Sequence, residues 1–109
     1  MTRYLLRVSY TVDGVRGVLK EGGSSRRATV EKMVKGLGGT LESFYYAFGP
    51  DDVYAVAQLP DNATAAAVSL AVTGAGAARS SVVVLLTPEE VDAATKKTVA
   101  YRAPGAEAR

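Results

Sequence analysis

The order in which two hydrophobic periods alternate along this chain leaves few ways to fold it. From Arg3 to Thr11, bulky and β-branched residues recur with period two, Leu6, Val8 and Tyr10 on one face and Arg7, Ser9 and Thr11 on the other, which predicts a strand. Asp13-Gly14 interrupts it. Val15, Val18 and Leu19 at i, i+3 and i+4 predict a short helical turn ended by Gly22-Gly23. Ser24 and Ser25 are suited to cap the next helix, in which Val30, Met33, Val34 and Leu37 fall on one stripe before Gly38-Gly39 stops it. A second strand is predicted from Thr40 to Phe48, a turn at Gly49-Pro50-Asp51-Asp52, and a returning strand from Val53 to Leu59. There Val53, Ala55 and Ala57 alternate with Tyr54, Val56 and Gln58, so one face admits a helix closely and the other carries larger groups.

Asp61 is a good cap for an Ala-rich helix from Asn62 to Thr73, with Gly74 and Gly76 beyond its end. Arg79 to Thr87 reads as the last strand. Thr87-Pro88-Glu89-Glu90 then fits a capping box with Pro at the first helical position, opening a short helix to about Lys97. Residues 98–109 have no period and are expected to form a flexible tail behind a domain of residues 1–97, with Tyr101 free to dock on a neighbour.

Strand, helix, strand, strand, helix, strand is the split β-α-β unit repeated, which predicts a ferredoxin-like α+β fold, βαββαβ, with a four-stranded antiparallel sheet, helices on one face and an added C-terminal helix. Helices on one face leave the other needing cover. Counting alternate positions places Leu5, Arg7 and Ser9, then Glu42, Phe44 and Tyr46, then Tyr54, Val56 and Gln58, then Val82, Val84 and Leu86 on that open face, with Tyr10 and Tyr45 in the core behind it. So much apolar surface predicts a homodimer or larger homo-oligomer closed sheet to sheet.

Composition removes much chemistry. The chain has no Cys, His or Trp, which excludes disulfides, thiol nucleophiles, Cys/His zinc sites and His-based triads. Its net charge is +2, and Arg26-Arg27, Lys32, Lys35, Lys96-Lys97 and Arg102 are spread among acids rather than clustered, so no nucleic-acid partner is expected. Val53 to Ala57 also lacks the basic aromatic run with which this topology stacks RNA bases. Tyr4-Leu5-Leu6 is cut short by Arg7, so no export signal is expected, and no uncharged stretch is apolar enough to span a bilayer. A cytoplasmic protein with no membrane partner is the expectation.

Gly74-Ala75-Gly76 follows a helix and precedes a strand, the wrong context for a dinucleotide fingerprint, and reads as a helix stop. Asp51 and Asp52 read as turn formers rather than metal ligands, since adjacent extended side chains point apart. No cofactor or metal is expected. The candidate pocket is the open face itself, with Arg7, Ser9, Glu42, Phe44, Tyr46, Tyr54 and Gln58. Arg7 could fix a carboxylate or enolate and Tyr46 or Tyr54 could protonate an oxyanion, the means by which a site without His might act. Alternatively, Arg7 simply pairs with Glu42 or a Tyr to satisfy an interface. The two functional readings are a homo-oligomer binding a small, partly apolar molecule between sheets, and a cofactor-independent enzyme, oxygenase- or isomerase-like.

Tyr4 to Thr11, Leu37 to Tyr45 and Phe48 to Val53 together resemble the GYD domain family, over about Arg3 to Glu90. The resemblance implies a ferredoxin-like fold that associates through its sheets as a dimeric α+β barrel, with no established biochemical activity. The family's usual Gly-Glu-Tyr-Asp turn stands here as Gly49-Pro50-Asp51-Asp52, with Asp51 in place of the aromatic.

Overall fold

Strand β3 (Val53–Leu59) carries the clearest division between inside and outside: Val53, Ala55, Ala57 and Leu59 are buried while Tyr54, Val56 and Gln58 between them stay partly exposed. The computed structural model describes residues 1–106. Around β3 lie β1 (Thr2–Tyr10), β2 (Thr40–Tyr46) and β4 (Ala78–Leu85), in the order β2-β3-β1-β4 with every neighbouring pair antiparallel. The helices are α1 (Val12–Glu21), α2 (Gly23–Gly36), α3 (Asn62–Gly74) and α4 (Pro88–Thr95). This is the ferredoxin-like α+β order with a C-terminal helix, as the sequence predicts. Among the described residues no helix is long and apolar enough to cross a membrane.

The core lies between one sheet face and the pair α2 and α3, and joins Tyr4 and Leu6 of β1 to Val34 of α2 and to Ala65 and Val68 of α3. Small side chains in β3 let the helices come close. Tyr4 is 1% exposed, and its hydroxyl donates to Asn62 Oδ1 at 2.6 Å, so a buried polar group is satisfied at the start of α3. Asp61 caps that helix by accepting from the Thr64 amide, and the Thr87 to Glu90 capping box is complete in both directions.

Three local expectations are corrected. The turn at Val15 to Leu19 is a full helix, α1, because Thr11 accepts from the Gly14 amide and caps it. Ser24 and Ser25 lie inside the first turn of α2 rather than capping it. Gly22 holds the cap position, and its φ of +85° turns the chain directly from α1 into α2. Strand β2 ends at Tyr46, where the chain leaves for the turn and Ala47 N–H donates to the Asp52 carbonyl at 2.9 Å.

That turn is latched to β1. Asp52 N–H donates to the Val8 carbonyl at 2.7 Å, and its carboxylate accepts from the Tyr10 amide at 2.7 Å. At the other end of the chain α4 buries none of its residues, and residues 98–106 are exposed with no helix or strand; residues 107–109 of the expected tail lie outside the described residues. The radius of gyration is 17.8 Å, where a compact chain of this length has about 13 Å. The C-terminal segment therefore stands away from the sheet and leaves its open face uncovered.

Leu59 fills the core, whereas Leu70 on α3 is 75% exposed. Leu59→Ala is expected to cost about 2–4 kcal/mol in urea unfolding and Leu70→Ala less than about 0.5 kcal/mol. Equal costs would place the core elsewhere.

Candidate functional site on the open sheet face

Strand pairing sorts the uncovered face into rows. At one end Arg3 lies beside Gln58 and Leu85; in the middle Leu5 lies between Val56 and Val83, with Ser43 beyond Val56; next, Arg7 lies between Tyr54 and Ser81, with Tyr45 beyond Tyr54; at the far end Ser9 faces Arg79. The middle is apolar and both ends are charged.

At the Arg7 end the hairpin turn folds a carboxylate over the sheet. Asp51 Oδ2 receives Arg7 Nε at 2.8 Å and Nη2 at 2.6 Å, and the Tyr54 hydroxyl donates to the same oxygen at 3.3 Å. Ser9 Oγ is 3.1 Å from both Asp51 Oδ1 and the Pro50 carbonyl, so its one proton serves either. Arg7 beside it, aided by Ser9 and Tyr54, holds the Asp51 carboxyl below its ordinary range, and Asp51 in turn raises the Arg7 pKa. A hollow of about 260 Å³ lies against this group, lined also by Arg79 and Ser81. At the opposite end Arg3 grips Glu42 through two nitrogens, Nε to Oε1 at 2.5 Å and Nη2 to Oε2 at 3.1 Å. Arg3, with a smaller contribution from Gln58, holds Glu42 low.

Of the residues expected to share the pocket, Arg7, Ser9, Glu42, Tyr54 and Gln58 do face this side. Phe44 and Tyr46 do not. A bulge at Glu42, between Leu41 and Ser43, adds one residue to β2 and reverses every side chain after it. Phe44 accordingly packs on the core, and the Tyr46 hydroxyl donates to the Gly23 carbonyl at 3.1 Å. Their rings meet edge to face at 5.3 Å. Tyr45, expected in the core, is instead on the open face and 71% exposed.

Strand β4 is corrected likewise. Val82 pairs with Leu6 and Val84 with Tyr4 on the helix side, so Ser81, Val83 and Leu85 take the open face in place of Val82, Val84 and Leu86. The run from Val82 to Leu86 is apolar at every position, so its alternation carries no phase, and only pairing with β1 fixes it. Nor does Arg7 pair with Glu42. The two lie at opposite ends of the face, and Asp51, read from sequence as a plain turn former, is the partner of Arg7. The sequence signal for that pair is a carboxylate in the turn that closes β2 onto β3, next to a strand carrying an Arg.

Asp51→Asn is expected to lower the stability of the folded chain near neutral pH, read as the urea midpoint. Because folding lowers the Asp51 pKa, its contribution is fully present above the ordinary carboxylate value of 3.8 and fades as pH falls through the lower folded value. The gap between wild type and Asp51→Asn should thus narrow between about pH 4 and about pH 2; a gap constant over that range would contradict the Arg7 pairing.

No curated protein and no solved structure matches the chain. A family model does, the GYD domain, over residues 4–95 of the 109. That span runs from the first core residue of β1 to the last residue of α4, through both strand-helix-strand units and the Asp51 turn, and so the chain belongs to the GYD domain family.

Proposed function

We propose that this chain is a self-assembling binding protein, a homo-oligomer whose open sheet faces meet and hold a small, partly apolar molecule between them. The observation that carries the proposal is the row of Ser43, Val56, Leu5 and Val83, with Val83 40% exposed, lying between two ion pairs that are already satisfied within one protomer. Covering the row removes apolar area from water, at roughly 25 cal/mol per Å². Arg3 with Glu42 and Arg7 with Asp51 enter such an interface already paired, which lowers the cost of desolvating them. The hollow beside Asp51 supplies room for the ligand's polar end next to Arg79, which makes no ion pair among the described residues.

A cofactor-independent enzyme would have to draw its acid from Tyr54, since Tyr46 faces the helices. It would also have to free Arg7 from Asp51 before using it on an anion. The engaged guanidinium favours binding over catalysis.

Sedimentation and native mass spectrometry of the purified chain test both the assembly and the cargo. The expected result is a dimer or larger species carrying a small molecule. Val83→Arg should weaken association by about 100-fold or more, because it buries an unpaired charge, while the melting curve of the protomer changes little. A wild-type monomer at all concentrations would refute the assembly.

A further inference from the structure

The opposite side of the sheet holds a second cavity. Helix α2 leans on β2 and α3 leans on β4, and between them a cleft of about 280 Å³ opens down to the strands over Leu6 and Val8. Short side chains leave it unfilled: Ala71 of α3 and Ala75 at its C-cap on one wall, Ala55 and Ala78 on the floor. Protein interiors seldom leave gaps larger than a water molecule, and an apolar gap offers water few partners. Ser80, also on the floor, is occupied by Ser69 at 3.1 Å and Thr73 at 3.3 Å.

Polar groups gather at one edge of the lining. Arg26 of α2 and Tyr10 of β1 both line the cleft and lie within interaction range of each other. Arg26 makes an ion pair with Glu21 at 3.5 Å, a loose contact that leaves its fork of donors available. The Tyr10 phenol is a proton donor at neutral pH at its ordinary value of 10.0, and burial, with Tyr46 nearby, pushes it further up.

We propose that the cleft between α2 and α3 binds a small molecule with a flat or linear hydrocarbon body and one anionic oxygen group, the body over Ala55 and Val8 and the anion against Arg26 and Tyr10. The volume is near the lower end for small-molecule sites, which fits one or two fused rings or a short acyl chain. The site is backed by the helix side of the sheet and does not depend on the assembly of the open faces.

Naphthoate, a two-ring carboxylate, and naphthalenemethanol, its uncharged counterpart, are the probes, titrated by fluorescence into the full chain. Naphthoate should bind saturably, one per chain. Ala71→Leu, exposed on α3 where Leu keeps good helix propensity, and Ala75→Leu, exposed at that helix's C-cap, should each weaken it by about tenfold or more with melting curves retained. Arg26→Gln should weaken naphthoate by about tenfold and leave naphthalenemethanol unchanged. Val83→Arg should leave naphthoate binding intact, even where it abolishes assembly. No saturable binding to the wild type, or binding unaffected by both Leu variants, would overturn the proposal; an equal loss of both probes in Arg26→Gln would overturn the placement of the anion.

Discussion

The whole molecule rests on a sheet that can be buried from one side by its own helices and from no other. In β3 the inward residues are small enough to bring α2 and α3 onto the strands, and the outward ones, Tyr54, Val56 and Gln58, are too large and too mixed to act as a second core on their own. Everything of functional interest follows from this asymmetry. The side under the helices is covered but imperfectly filled, and the uncovered side is apolar in the middle and charged at its ends.

The fold is legible in the sequence because its signals are local. Asp61 and Thr87 announce helix starts through a hydrogen bond made three residues away, and Val53 to Leu59 alternates without interruption. The site is less legible because its geometry depends on pairing. Counting by twos through β2 fails at Glu42, where a single inserted residue exchanges Phe44 and Tyr46 for Tyr45. It fails in β4 for the opposite reason: five apolar residues in succession give no phase to count. In β1 and β3, where polar and apolar residues alternate clearly, the same count puts Arg7, Ser9, Tyr54 and Gln58 on the correct face.

Charge pairing is harder to foresee than charge placement. Arg7 and Glu42 share a face but are separated along it, and each finds a nearer partner, Asp51 from the turn and Arg3 from the same strand as Arg7. Asp51 thereby acquires an electrostatic role: it receives hydrogen bonds from three side chains and fixes the orientation of Arg7. Without that carboxylate Arg7 would stand bare on the open face; with it, the chain presents a neutralised cation there.

The neighbouring Asp52 has a different consequence. It ties the β2–β3 turn to β1 through both its amide and its carboxylate, so the three strands cannot separate singly. Peeling β2 away exposes the turn but leaves it anchored, and releasing the anchor breaks the end of β1 as well. These three strands are therefore expected to open as one unit whose amide hydrogens exchange with solvent together.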